Sequence, residues 1–159
     1  RTAWIDSGIR DFPLAATYNN NIVNHEDGID DNETGTSAGI SSFITSAQFD
    51  LDDGHRFAFI QKVYPDVTFD GSTAESPTAT LSLFAAQNSG SGRNSPASEG
   101  GTNTGSITRT ATAPIEAFTS RLDLRVRGRQ LALKIESSES GVKWQLGSPR
   151  LELRPDGRR

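Results

Sequence analysis

The stretch LDLRVRGRQLALKIESSESGVKWQLGSPRLEL, residues 122–153, decides the fold. Apolar side chains occupy every second position in four successive runs, with Gly or Pro between the runs: 122–126, 131–135, 142–146 and 151–153. A period of two residues is typical of β-strands that bury one face, and Gly and Pro are typical of the turns between strands. The stretch therefore predicts antiparallel strands joined as a β-meander.

The same alternation predicts which side chains form the core. Trp144 would provide the largest single apolar burial, and Trp4 also falls in an alternating run that buries it. Gly128 lies between two runs, where it would permit a turn that β-branched residues resist. The predicted core residues occupy the inward positions of these runs and of the earlier run 55–64: Phe57, Phe59, Leu124, Val126, Leu133, Ile135 and Trp144.

Upstream of this stretch the sequence predicts further strands. Residues 55–64 are apolar on both faces, which places that strand centrally in its sheet. Asp52-Asp53-Gly54 before it is typical of a hairpin turn, and Pro114 to Phe118 is the one plausible helical turn. The remaining predicted strands are 43–51, 78–85 and 106–113.

The distribution of turn residues and small polar residues divides the chain. Residues 1–24 predict two short strands joined by a turn, which are too few to fold alone and need a neighbour. Residues 25–39 form an acidic linker that ends near Gly39, and residues 40–159 form a sandwich with a long Ser/Gly-rich loop at 88–105. The predicted fold class is all-β, an antiparallel, jelly-roll-like β-sandwich.

The composition narrows the functional classes. Only 33% of the 159 residues are hydrophobic, which predicts a thin, two-layer core without a large enclosed active-site cavity. The chain has no Cys, which excludes disulfides, thiolate metal sites and Cys nucleophiles. No apolar run approaches the roughly 20 residues of a membrane-spanning helix, so no membrane span is predicted.

Charge is unevenly distributed along the chain. Residues 1–80 carry 4 basic and 13 acidic side chains, a net charge of −9, and residues 81–159 carry 12 basic and 7 acidic side chains, a net charge of +5. This asymmetry indicates either a basic surface for an acidic partner or two ends of a protomer that meet in an oligomer. The oligomer is the favoured interpretation.

Catalytic chemistry has little support in the sequence. The two histidines, His25 and His55, lie in an acidic loop and beside a turn, and neither neighbours a serine in a nucleophile context. The densest carboxylates lie at the turn 50–53, where Asp is expected for backbone reasons. No phosphate-binding Gly loop precedes a helix. We therefore predict no catalytic residue, no cofactor and no enzymatic activity.

The acidic segment 25–39 offers carboxylate oxygens, which are the ligands that Ca²⁺ prefers. Their spacing does not match the twelve-residue calcium loop, which requires acids at alternate positions and Gly at the sixth. A solvated acidic loop is therefore the favoured interpretation, and the calcium candidates form the alternative: Glu26, Asp27, Asp30, Asp31 and Glu33.

Arginines in the last part of the chain form the predicted interaction surface. If the strand at 122–127 lies beside the strand at 150–154, several guanidinium groups share one face. Arg binds carboxylates and phosphates in planar, bidentate geometry, so the partner is an acidic protein patch or nucleic-acid phosphate. A solvent-exposed face, whose arginines pair with Asp123, Glu136 and Glu152 across the strands, is as compatible with the sequence as protein docking. The predicted residues are Arg125, Arg127, Arg129, Arg150, Arg154, Arg158 and Arg159.

Nucleic acid ranks last among these partners. Proteins that bind single strands stack bases on aromatic side chains placed between the basic ones. That interleaving is absent from the pattern, because Trp144 falls on the buried side of its run. We therefore predict a protein partner and no direct nucleic-acid contact.

Several segments resemble a known family. LRVRGRQLALKIE (124–136), WQLG (144–147) and the closing RLELRPDGRR (150–159) resemble the C-terminal end of structural proteins from the tail and neck of tailed bacteriophages. Upstream, NHEDGIDD (24–31) and FDLDDG (49–54) are similar to the same family. The resemblance covers residues 2–66 and 120–159, and it leaves out the Ser/Gly-rich middle of the chain.

The resemblance implies that the chain is the end of a longer protein, in which a propeller-like region precedes a β-sandwich. Residues 1–24 would then be the terminal strands of this preceding β-rich domain, so the fold class includes a few strands of an upstream β domain before the sandwich. It further implies a non-enzymatic virion component of the tail or neck. Such a component would form a homo-oligomeric ring around the tail axis and contact other neck or tail proteins. The alternative from another class is a carbohydrate-binding or receptor-binding β-sandwich module. Solvent-facing Trp or Tyr residues would favour that alternative.

Overall fold

A computed structural model describes residues 2–6, 8–51, 53–86 and 107–157. Throughout these ranges the regular structure consists of β-strands in antiparallel sheets. The described residues include no helix, and hence none long and apolar enough to cross a membrane. The predicted all-β, antiparallel fold class is confirmed.

A short three-stranded sheet, the N-terminal sheet, comes first in the chain. Its strands are β1 (Ala3–Ile5), β2 (Leu14–Ala16) and β3 (Ile22–Asn24), and they pair in that order. A two-stranded pair follows, made of β4 (Asp30–Asp31) and β5 (Ala38–Gly39). The proposed division at Gly39 stays a prediction.

Two antiparallel sheets form the sandwich that follows. The larger sheet has the order β11-β10-β13-β6, and β7 also pairs with β13; the smaller sheet has the order β12-β8-β15. The strands of the larger sheet are β6 (Ser42–Thr45), β7 (Phe49–Asp50), β10 (Thr78–Ala86), β11 (Ile107–Glu116) and β13 (Gln130–Ser137). Those of the smaller sheet are β8 (Ala58–Tyr64), β12 (Leu122–Gly128) and β15 (Arg150–Pro155). A separate short pair joins β9 (Val67–Thr68) to β14 (Gln145–Leu146).

Successive strands of the decisive stretch belong to different sheets. β12 lies in the smaller sheet, β13 in the larger sheet, and β15 returns to the smaller sheet. The predicted β-meander is therefore wrong, because alternation reports which side of a strand is buried and not which strand it pairs with. The predicted hairpin before β8 is wrong for the same reason, since β7 and β8 lie in different sheets.

The region around β10 and β11 corrects a further prediction. Pro114 and Ile115 do not start a helical turn, because they continue β11 opposite Thr80 and Ala79 of β10. β11 is the edge strand of its sheet, where Pro is tolerated since its missing N–H would face away from the ladder. The Ser/Gly-rich loop predicted at 88–105 lies outside the described residues.

The core lies between the inward faces of the two sheets. Four of the predicted core residues are buried there: Leu124, Val126, Leu133 and Ile135. Trp144 is only half-buried, packs against this core, and donates a hydrogen bond from Nε1 to Ser42 Oγ at 2.9 Å. β8 lies between β12 and β15, which confirms its predicted central position.

Phe57 and Phe59 do not belong to the core between the sheets. Ala58 and Ile60 point inward from β8, so the alternating phenylalanines face the outer side of the smaller sheet. Phe57 is buried as predicted, although it lies outside the cluster between the sheets, whereas the half-buried Phe59 is not a core residue. Trp4 is a second error of face assignment, because 48% of it is exposed in the N-terminal sheet.

Candidate functional site

The outer face of the smaller sheet brings together arginines from two strands. Arg127 of β12 and Arg154 of β15 are both register partners of Phe59 in the intervening strand β8. Register partners in an antiparallel sheet place their side chains on the same face, with neighbouring strands about 4.8 Å apart. The three side chains therefore form one row, with the two arginines about 10 Å apart across the sheet.

Phe57 supports two arginines from beneath. Its ring is only 6% exposed, and the guanidinium carbons of Arg127 and Arg129 lie 4.0 and 4.7 Å from its centroid. Arg127 also donates from Nε to a carboxylate oxygen of Asp156 and from Nη2 to the Asp156 carbonyl at 3.1 Å. Stacking and pairing together hold these guanidinium groups in a defined orientation.

Two further arginines complete this surface. Arg150 of β15 lies with its guanidinium carbon 6.0 Å from the ring centroid of Tyr64, and Arg125 is exposed at the irregularity of β12. We call the whole surface the arginine-aromatic face, which consists of Phe57, Phe59, Tyr64, Arg125, Arg127, Arg129, Arg150 and Arg154. Arg158 and Arg159 of the predicted set lie outside the described residues.

Asp156 pairs with Arg127, whereas the three acids that the sequence offered as partners of these arginines are paired with other cations. Glu152 binds Lys62 at 3.0 Å, Asp123 binds Arg121 at 3.2 Å, and Glu136 of the other sheet binds Lys134. Within the described part of the chain, the exposed Arg125 and Arg154 form no ion pair. The arrangement leaves positive charge on a rigid sheet surface, which suits an acidic partner.

The aromatic residues of this face were missed by the sequence analysis. Phe59 and Tyr64 lie between the arginines, so the inference that no aromatic residue interleaves with them is wrong. Two of these rings are not open platforms for bases, however, because Phe57 is covered and Arg150 lies over Tyr64. Base stacking needs an accessible ring face, so these two rings are poorly placed for it.

Neither a protein-family model nor a curated protein sequence matches this chain.

The acidic segment borders an open cleft of about 620 Å³ that begins at the end of β3. Its lining includes His25, Glu26, Asp31 and Ile40. The acids bind protein donors: Asp31 accepts a hydrogen bond from the Glu33 N–H at 3.0 Å, and Glu33 accepts one from Asn19 at 3.0 Å. Among the residues that the structure describes, no three His, Asp or Glu side chains are grouped to hold a metal ion.

Asp30 ties the acidic segment to the sandwich. Its carboxylate accepts hydrogen bonds of 2.7 Å from Ser37 Oγ, Ser140 Oγ and the Gly141 N–H. The Gly141 N–H, followed by the two hydroxyl groups, lowers the pKa of Asp30 below its ordinary value. Asp30 was predicted only as a calcium candidate, since a contact across 110 residues has no signal in local sequence.

The two histidines form no catalytic pair. His25 packs edge-on against Trp4, with ring centroids 4.4 Å apart, and His55 is exposed beside the turn before β8. They occupy different parts of the fold. The geometry therefore adds no general acid or base to the sequence prediction.

We expect Asp30→Asn to release the acidic segment from the sandwich. The folded-state pKa is lowered, so the carboxylate's contribution is complete above the ordinary Asp pKa and is lost as pH falls through the lowered value. At neutral pH the substitution should therefore increase amide exchange at Gly141 by about tenfold, with little effect on β10. Hydrogen–deuterium exchange measures this change.

The matched control for this substitution is Asp31→Asn. Asp31 is the next residue and its carboxylate bonds within its own loop, to the Glu33 N–H. Exchange at Gly141 should be unchanged in the control. Equal exchange rates at Gly141 in both variants would show that Asp30 does not hold the segment.

Proposed function

We propose that this chain is a non-enzymatic structural component of a tailed-phage virion, located in the tail or neck. It would assemble as a homo-oligomeric ring through protein–protein contacts and bind other neck or tail proteins. Parts of the segments that resemble such proteins lie on the arginine-aromatic face: residues 124–128 belong to β12 and residues 150–155 to β15, whereas residues 130–136 belong to β13 of the larger sheet. The motif and the candidate interaction surface thus overlap in two of the three strands of the smaller sheet.

The row of Arg127, Phe59 and Arg154 is the observation that carries this proposal. It combines apolar area, the Arg127 guanidinium group held by Asp156, and the exposed Arg154, which forms no ion pair with a described acid. Arg and aromatic residues are enriched at the energetic centres of protein interfaces. Rigid strands supply the positions, so a partner would meet a preformed surface.

The mass of the assembled protein tests the proposal. Native mass spectrometry or light scattering on the full-length protein should show a defined, ring-sized oligomer. Replacing Arg125, Arg127 and Arg154 together by Gln should abolish this assembly and the incorporation of the protein into particles. Lys143→Gln, which removes an exposed cation elsewhere, should leave both unchanged.

The folding of the triple variant requires its own control, because Arg127 also covers Phe57. The double variant Arg125→Gln/Arg154→Gln leaves that stack intact and should weaken assembly with a normal melting temperature. Intact assembly of both variants would exclude the arginine-aromatic face as the contact. A monomer that binds no tail or neck protein would overturn the structural function itself.

A carbohydrate-binding module is the second candidate, and the exposure of Trp4 favours it. Trp4 packs against His25, which lines the open cleft together with carboxylate and amide side chains. An exposed indole beside hydrogen-bonding groups is an amphipathic surface of the kind that can bind a sugar ring. Glycan-array binding by a monomeric protein would support this candidate over the virion component.

A further inference from the structure

We propose that the arginine-aromatic face of one copy binds the N-terminal segment, residues 2–33, of a second copy. This inference rests on the proposed function, because it names the two surfaces through which a ring would close. Both surfaces belong to this chain, and they differ in charge and in chemical character. The contact is therefore heterologous, with a different patch on each side.

The N-terminal sheet exposes one apolar face. Ala3, Ala16 and Ile22 form one row across its strands, and Ile5, Leu14 and the polar Asn24 form the row on the same side. Ile5 is 62% exposed and Ile22 is 78% exposed. Large side chains at such exposure on a sheet of three short strands indicate a surface that another surface covers.

Charge complementarity points to the arginine-aromatic face as the cover. Residues 2–33 contain one basic and seven acidic side chains, a net charge of −6. The exposed Asp6 and Asp11 flank the ends of β1 and β2, where they can reach arginines of a docked surface. Arg stems and phenylalanine rings would cover the apolar residues while guanidinium groups pair with the surrounding acids.

The two surfaces also match in width, although the strands of the N-terminal sheet, at 3 residues each, are shorter than the 6 or 7 residues of β15, β8 and β12. Each is one face of a three-stranded antiparallel sheet, the first of β1, β2 and β3 and the second of β12, β8 and β15. Three strands give both faces a width of about 10 Å between the outer strands. A heterologous contact that repeats from copy to copy closes into a ring when the rotation between neighbouring copies is a whole-number fraction of a full turn. Otherwise it forms a filament.

Two charge-reversal variants of the full-length protein test the contact. The face variant carries Arg125→Glu and Arg154→Glu, and the N-terminal variant carries Asp6→Lys and Asp11→Lys. All four positions are exposed and lie outside the Phe57 stack, so both variants should fold normally. Each should weaken self-assembly by about 100-fold, since like charges then face each other. Lys143→Glu serves as the charge control.

Mixing the two variants gives the deciding result. Each variant retains one native surface, so an equimolar mixture of the two variants should form a 1:1 complex. The chain with all four substitutions has opposite charges on its two surfaces again, so it should regain self-assembly. Variants that are monomeric alone and in the mixture would overturn the inference. Oligomers unaffected by either variant would overturn it too, yet leave the proposed function standing. A wild-type protein that stays monomeric at all concentrations would instead contradict ring formation, both in this inference and in the proposed function.

Discussion

Phe57→Ala is expected to lower the free energy of unfolding by about 3–4 kcal/mol, with a fall in melting temperature of about 10 °C. Phe57 is 6% exposed although it lies on the outer face of its sheet. The side chains that bury it include Arg127 and Arg129, whose guanidinium groups lie over its ring. Removal of the ring therefore leaves a cavity beneath two charged groups and removes both cation–π contacts.

Chemical denaturation of Phe57→Ala beside Phe118→Ala measures this effect. Phe118 is 96% exposed, so its truncation should change stability by less than about 0.5 kcal/mol. Phe57→Leu keeps most of the apolar burial but loses the aromatic face, and we expect it to cost about 1 kcal/mol. If Phe57→Ala were as mild as Phe118→Ala, the arginines would not be packed on a buried ring.

The burial of Phe57 shows where the sequence pattern loses its predictive power. The run 131–135 has apolar residues at alternate positions, and its Leu133 and Ile135 are buried in the core as predicted. β8 has large apolar residues on both faces, so the alternation does not say which face meets the other sheet. Only the packing of Ala58 and Ile60 into the core cluster shows that Phe57 and Phe59 lie on the opposite face.

The pairing of the strands could not be predicted from the local sequence, for a related reason. Inward faces of both sheets are apolar, and a strand of either sheet satisfies the same alternation. The chain crosses between sheets at Arg129, whose N–H donates to the carbonyl of Ala86 at 2.9 Å. Such a crossing depends on contacts with a strand more than 40 residues earlier. The sequence around Gly128 therefore has the pattern of a hairpin turn, although the chain crosses between the sheets there.

The candidate surface was predicted in part. Arg125 and Arg127 were placed on the outward face of their strand, and the structure puts Arg154 in the same sheet. The prediction placed the two strands side by side, whereas β8 separates them and contributes the aromatic rings. The tie from Asp30 to Ser140 and Gly141 could not be foreseen, because it links distant loops through three hydrogen bonds.

Gly128→Val is expected to cost about 3–4 kcal/mol, because a side chain at this position would collide with the larger sheet. Gly128 ends β12, and its φ is not in the left-handed region, so a special backbone conformation does not explain the residue. A Cβ built there would lie 2.9 Å from Ala85 Cβ, 3.0 Å from the Gln130 carbonyl oxygen and 3.1 Å from the Ala86 carbonyl oxygen. These are tighter than ordinary van der Waals contacts.

The neighbouring atoms have little freedom to move away. The Ala86 carbonyl oxygen accepts the hydrogen bond from Arg129, and Gln130 begins β13. Two backbone oxygens and a methyl group of packed strands therefore surround the α-carbon, and the close approach of the two sheets requires a residue without Cβ. The smaller change Gly128→Ala should already cost about 1–3 kcal/mol, with Val more severe because of its branched Cβ.

Gly128→Asn separates this explanation from the predicted turn. A glycine needed for a left-handed turn is replaced by Asn at lower cost than by Ala, whereas a glycine needed for space tolerates neither. We therefore expect Asn to be at least as destabilising as Ala in thermal and chemical unfolding. Gly8→Ala is the control, since a Cβ there would meet no atom within 4 Å. Stability restored by Asn relative to Ala would show that backbone conformation, and not the contact between the sheets, selects glycine at position 128.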